Sequence, residues 1–154
     1  MTLKEGDKAP QFDLPTDGGK RLSLSELKGK KVVLYFYPKD DTPGCTKEAI
    51  GFTEALPKFK RAGAVILGAS KDPVEKHAKF RTKYDLKIPL LSDEDGTLCK
   101  DYGVWTKKMN YGKSYMGIER STFLIDGKGK IAKIWRKVRV PGHVEEVLEA
   151  TKEL

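Results

Sequence analysis

The sequence predicts an α/β layer fold with a mixed central sheet and helices on both faces, and three observations carry that expectation. Val32 to Tyr37 and Ala64 to Ala69 are unbroken apolar runs, too short for a membrane span and rich in β-branched and aromatic residues, as buried central strands are. Each run leads into a segment with helical periodicity, 43–62 and 74–84, which is the strand–helix alternation of parallel pairing. The chain then closes with two strand-like runs joined by Asp126-Gly-Lys-Gly, followed by a terminal helical segment, which adds antiparallel neighbours. With 154 residues, one domain covering 1–154 is expected, long enough to bury a real core.

Before the first central strand, Phe12 and Leu14, then Asp17-Gly18-Gly19, then Leu22 and Leu24 read as an N-terminal β-hairpin with a glycine turn. Ser23 to Leu27 offers a short helical turn, closed by Gly29. In 43–62 the residues Ile50, Phe52, Ala55, Leu56 and Phe59 form the inward face, Pro57 predicts a kink or break, and Gly63 a stop. In 74–84 the inward residues are Val74, Ala78, Phe80 and Tyr84. A strand over 88–91, a turn at Asp95-Gly96 and a short helix over 97–102 follow. Strands are then expected over 115–118, 122–125 and 130–138. A helix over 142–154 buries Val144, Val147 and Leu148.

The chemistry concentrates where the first central strand ends. Pro38 terminates it, Thr42 is suited to cap a helix, Pro43 suits the first helical position, and Gly44 allows close approach to the backbone. Cys45 therefore falls at the third helical position, where unpaired N–H groups and the positive end of the helix dipole favour a thiolate over a thiol. A free cysteine is often only a small buried hydrophobe. That reading suits Cys45 poorly, because Lys39, Asp40, Asp41 and a Pro-Gly turn surround it on a strand-to-helix loop.

Pro38, Thr42 and Cys45 make the pattern Pro-x-x-x-Thr-x-x-Cys, and Tyr35 to Glu48 as a whole resembles the active-site loop of the peroxiredoxins. The likeness is greatest to the bacterioferritin comigratory protein (BCP) branch, also called PrxQ. Pro89-Leu-Leu-Ser-Asp, Asp101-Tyr-Gly-Val-Trp and Glu119-Arg-Ser-Thr-Phe-Leu-Ile-Asp match the same branch, so the resemblance spans nearly the whole chain. It implies a thioredoxin-like fold with an extra N-terminal β-hairpin, and a thiol peroxidase that reduces hydrogen peroxide and organic hydroperoxides without metal or organic cofactor.

By that resemblance Cys45 is the peroxidatic cysteine, Pro38 shields it from water, and Thr42 and Arg120 complete the catalytic set. Gly44, Thr42, Cys45 and Arg120 would contact the substrate, and Glu48, one turn after Cys45, would hold the arginine. The residues alone make Arg120 a surface charge at a strand start, Thr42 a plain cap for the Cys45 N–H, and Glu48 a partner of the helix dipole. A planar guanidinium suits simultaneous contact with sulfur and peroxide better than an ammonium does.

Many relatives carry a resolving cysteine five residues after the first, but that position here is Ile50. Cys99 is the only other cysteine. It is either a structural residue packed with Leu98 and Tyr102 or a resolving residue, and the second role needs Cα atoms within about 7 Å of each other. Without it, the cycle uses one cysteine and an external thiol, which the resemblance implies is thioredoxin or glutaredoxin. A different kind of function is a thioredoxin-fold redox sensor or holdase that turns over little peroxide.

Composition narrows the remaining classes. Two cysteines are too few for a disulfide framework, and the first residues show no apolar signal core, so a cytoplasmic protein in a reduced compartment is expected. No run is long and apolar enough to suggest a membrane partner. His77 and His143 have no ligand spacing, so no metal is expected. The net charge of +8 resides in 104–143, which holds ten Lys and Arg against Glu119 and Asp126. We read this stripe as a solvated face whose aromatics, Trp105, Tyr111, Tyr115, Phe123 and Trp135, belong to the core, rather than as a nucleic-acid surface. Relatives in the branch point to a monomer or weak dimer.

Overall fold

A five-stranded sheet in the order β5-β4-β3-β8-β9 organises the molecule, seen in a computed structural model that describes residues 3–154. β3 (Lys31–Phe36) lies at its centre, with Val32 through Phe36 all buried. This is the position that suits an apolar run with no polar face. It pairs in parallel with β4 (Ala64–Ser70) and antiparallel with β8 (Ser121–Ile125). β5 (Leu90–Ser92) extends the parallel side and β9 (Ile131–Trp135) the antiparallel side. The sheet is therefore mixed, as the alternation of elements predicts.

Because side chains alternate along a strand, β3 feeds two cores. Val32, Leu34 and Phe36 face one side, with Phe123, Tyr102, Leu98 and Cys99, under α3 (Thr97–Asp101) and the N-terminal segment. Val33, Tyr35 and Tyr37 face the other, which α1 (Pro43–Arg61), α2 (Val74–Tyr84) and α4 (His143–Lys152) cover through Phe52, Phe59, Phe80, Val147 and Leu148. Helices thus lie on both faces. The expected N-terminal hairpin is present as β1 (Asp13–Pro15) and β2 (Arg21–Ser23), followed by a 3-10 turn over Leu24–Leu27.

Several local expectations need correction. α1 runs unbroken across Pro57, since one missing N–H costs less than abandoning the packing of Phe52 and Phe59 on either side of it. β5 starts at Leu90 rather than 88, because Pro89 has no N–H for the ladder and contributes only its carbonyl, which accepts from Gly68 N at 3.1 Å. β9 ends at Trp135, short of 138.

A strand absent from the sequence reading, β6 (Trp105–Asn110), pairs with β7 (Lys113–Ile118) as a separate hairpin. Its two-residue turn is Tyr111-Gly112, both with positive φ (51° and 78°), the backbone of a tight primed turn. The stripe's aromatics divide accordingly. Phe123 is core and Trp105 and Trp135 are half-buried, but Tyr111 is 98% and Tyr115 50% exposed on this hairpin, which has water on both sides beyond its base.

Candidate active site

Local chemistry sets the frame. β3 delivers Tyr37 into the core, Pro38 is exposed at the strand exit, and the chain turns through Asp41 in the left-handed region (φ 59°) into α1. Pro43, Gly44 and Cys45 are the first three helical residues, so their positions precede the first helical hydrogen bond, Thr46 N to Thr42 O at 2.8 Å. Cys45 is therefore at the helix N-terminus, as expected. Its side chain is only 1% exposed, among Tyr35, Tyr37, Ala49 and Phe52.

Thr42 does not cap the helix with its side chain. Its hydroxyl donates to the Lys39 carbonyl at 2.8 Å and so closes the 39–42 turn on itself. The capping expectation fails: the Thr42 hydroxyl is turned to the Lys39 carbonyl and makes no cap hydrogen bond to the helix.

Arg120 comes from the far side of the sheet's centre. Ser121, the next residue, pairs with Phe36 across β3–β8, which brings the start of β8 beside the end of β3. The backbone around it is tied twice, Glu119 N to Val104 O at 2.7 Å and Val138 N to Arg120 O at 2.9 Å. The guanidinium then forks: Nη2 lies 3.2 Å from Cys45 Sγ and Nη1 donates to Glu48 Oε1 at 2.6 Å. A Cβ at position 44 would stand 3.2 Å from Arg120 Nη2, so the glycine makes room for the cation at the helix start.

Glu48 is 0% exposed, and its second oxygen, Oε2, has no hydrogen-bond partner among the described residues. Burial pushes its carboxyl up to about 7, outweighing the pairing with Arg120 that pulls it down. For Arg120, burial opposes the charge but Glu48 and Cys45 together hold the guanidinium more firmly protonated. Cys45, Arg120, Glu48 and Gly44 thus form one contiguous cluster. In it a fixed cation faces a sulfur inside a low-dielectric wall, an arrangement that stabilises negative charge developing beside the sulfur.

Three further residues near the site have roles in the structure that the sequence did not assign them. Lys108 on β6 is half-buried, and burial together with nearby Arg120 lowers its proton affinity. His77 is not a solvated residue of a charged helix. It is fully buried, with Nδ1 2.6 Å from Asp40 Oδ2 and Nε2 2.9 Å from the Leu91 carbonyl. Its signal was present, since Val74, His77, Phe80 and Tyr84 follow helical spacing on the inward face. His143 is buried as well, bonded to Thr122 Oγ1 at 2.8 Å, and burial lowers it to about 4.

Among the described residues, Asp40, Asp72 and His77 have ligand-type atoms within 4.8 Å of one another. Those atoms are engaged with each other and with Tyr37, Ser70 and Lys76, so the group is a hydrogen-bond network rather than an open coordination shell.

Cys99 stands apart. It is 0% exposed in the core on the opposite side of β3 from Cys45, and both cysteines are free. Burial, then the Asp93 carboxylate, raise its thiol well above the ordinary range.

Comparison with known proteins gives a consistent picture. The model of the AhpC/TSA family matches residues 5–134. A putative peroxiredoxin bcp of Coxiella burnetii is 58% identical over 148 residues, 96% of this chain and 98% of that protein. Peroxiredoxin Bcp of Bacillus subtilis is 51% identical over 154 residues, all of this chain and 98% of its own. Among solved structures, the bacterioferritin comigratory protein of Xanthomonas campestris, studied for alkyl peroxide reduction, superposes with a TM-score of 0.89 at 46% identity, covering 92% of this chain and 90% of that one.

Proposed function

Since the chain belongs to the AhpC/TSA family, has the thioredoxin-like fold of peroxiredoxin Q and is a thiol-dependent peroxidase acting on a hydroperoxide with a thiol reductant, we propose that Cys45 is its peroxidatic residue and that 1–154 acts as one domain. The observation that carries this is the fork of Arg120, 3.2 Å from Cys45 Sγ on one arm and 2.6 Å from Glu48 on the other.

In the first step the Cys45 sulfur attacks one peroxide oxygen in line. The S–O bond forms as the O–O bond breaks, sulfur loses two electrons, and the departing oxygen takes a proton to leave as water or an alcohol. Arg120 and the amides of Gly44 and Cys45 stabilise the charge on that oxygen as it departs. Thr42, fixed by its bond to the Lys39 carbonyl, presents its hydroxyl oxygen beside the attacked peroxide. Pro38 limits water at the mouth, and Glu48 holds the guanidinium in register.

The product is a Cys45 sulfenic acid. An external thiol attacks it, releasing water and forming a mixed disulfide, and a second thiol releases Cys45. We assign Cys99 a structural role, supported by its place across β3 from Cys45, so the cycle uses one cysteine, with a thioredoxin or glutaredoxin as reductant, in a cytoplasmic setting, by a monomer or weak dimer. No metal or organic cofactor enters these steps.

Intact mass after one equivalent of peroxide tests the assignment. Wild type and Cys99→Ser should both yield a sulfenic acid that a dimedone-type reagent traps, and Cys45→Ser should not. A loss of two mass units in wild type that either substitution abolishes would make Cys99 the resolving residue. No rapid oxidation of Cys45 would overturn the peroxidatic assignment itself.

A further inference from the structure

The loop that carries the site is bound to α2 by a buried pair that the reaction steps above do not use. Asp40 is 2% exposed and its side chain, like that of His77, is fully buried. The Leu91 carbonyl can only accept, so His77 Nε2 carries a hydrogen. A carboxylate oxygen and a ring lone pair cannot face one another at 2.6 Å, so a further proton lies between Nδ1 and Asp40 Oδ2. Asp40 Oδ1 meanwhile accepts from Tyr37 OH at 2.6 Å, and the Asp40 backbone N–H donates to Asp72 Oδ2 at 2.9 Å. Every polar side-chain atom of the Asp40–His77 pair is thus satisfied, by the pair itself, by Tyr37 just after β3 and by Leu91 of β5.

The next residue, Asp41, holds a left-handed backbone that a residue with a Cβ adopts at a cost, and its carboxylate takes Tyr84 OH at 2.6 Å and Lys83 Nζ at 2.8 Å. Asp40 and Asp41 are the only residues between the exposed Pro38–Lys39 corner and Thr42, three positions before Cys45. The start of α1 is therefore held from two sides, by Arg120 just before β8 and by α2 through this loop.

We propose that Asp40 and His77 are a positioning pair for the peroxide reaction: they pin the 38–42 loop to α2 and β5, and so fix Cys45 Sγ in line with a peroxide held by Arg120. Neither residue touches the reacting atoms. The proposal rests on Cys45 being the peroxidatic residue, and it names the residues that hold that cysteine in alignment.

The test separates two half-reactions in stopped flow, oxidation of Cys45 by hydrogen peroxide and reduction of the resulting sulfenic acid by dithiothreitol. Asp40→Ala and His77→Leu should each slow oxidation by about tenfold or more, the scale expected of a small misplacement of a reacting atom. Reduction, which needs exposure rather than alignment, should be as fast or faster. The double variant should be no slower than the slower single variant, because the two residues act as a unit. Asp40→Asn can still accept from Tyr37 and donate to Nδ1, and should restore oxidation to within about threefold of wild type.

Wild-type oxidation in a folded Asp40→Ala or His77→Leu overturns the proposal. So do additive losses in the double variant, or equal slowing of both half-reactions, which marks a general disturbance of the site rather than a loss of alignment. If the truncations do not fold, Asp40→Asn and His77→Gln decide: recovery in the first with slowing in the second supports the pair, and any other pattern overturns it. Cys45→Ser run alongside separates the two readings, since oxidation that persists in it refutes the Cys45 assignment and leaves the positioning claim without an object.

Discussion

Arg120 addresses Cys45 and Glu48 with one planar group, at 3.2 Å and 2.6 Å. A lysine has a single ammonium on a flexible stem and cannot span both, so Arg120→Lys should lower the rate of Cys45 oxidation by about a hundredfold, measured by stopped flow. Glu48 belongs to the same scale. Its folded carboxyl titrates near 7 while an unfolded one titrates in the ordinary range, so between those values the folded state binds more protons than the unfolded. Stability from this group is complete below the unfolded value and falls as pH rises through about 7, a change of about 3 kcal/mol in total. Urea unfolding of Glu48→Gln across pH 4 to 8 should therefore show a flatter profile between about pH 4.5 and 7 than wild type. An unchanged slope would mean that Arg120 keeps Glu48 ionised throughout.

At the scale of elements, β3 and β4 fit through a glycine. Tyr35 and Gly68 are register partners, and a Cβ at 68 would lie 2.9 Å from Tyr35 Cζ and Oη. Tyr35 is fully buried and stacked on Phe52 at 4.7 Å, so it has nowhere to go. Gly68→Ala should cost about 1–3 kcal/mol of overpacking, read in chemical denaturation. α4 is joined to the sheet by His143, whose neutral ring fits between Thr122, Phe52 and Trp135. Burial holds its folded value near 4, below the ordinary one, so its stability is present above about pH 6.5 and lost as pH falls toward 4. A His143→Gln variant should lose that acid-side slope, the reverse of the Glu48 effect. The β6–β7 hairpin was the element hardest to read from sequence, because Lys107-Lys108 interrupts any apolar alternation and Tyr111-Gly112 is not a common turn pair.

For the molecule as a whole, the sheet is a partition. Cys45 and Cys99 lie in cores on opposite faces of β3, separated by the strand's own backbone. Cys99→Ala should accordingly cost about 1 kcal/mol of packing, seen as a lower denaturation midpoint, with the oxidation rate of Cys45 unchanged. A tenfold fall in that rate would mean that the two cores communicate during turnover. Charge follows the same division of inside from outside. The lysines and arginines of 104–143 are exposed apart from the half-buried Lys108, Arg120 and Arg136, and the charge the site uses is the one the fold turns inward at Arg120.

Much of this was legible along the chain. Apolar runs with no polar face can only be central strands, so β3, β4 and the mixed sheet followed from residue order, and Thr42-Pro43-Gly44-Cys45 put the cysteine at a helix start because the cues for a helix N-terminus are local. What tertiary structure alone decided are the meetings between residues distant in sequence. Arg120 lies 75 positions from Cys45 and His77 lies 37 from Asp40. Spacing along the chain carries no information about which buried charge will find which partner. That depends on strand register, Phe36 with Ser121 and Ala69 with Leu91, and on burial, which makes an unpaired polar group costly.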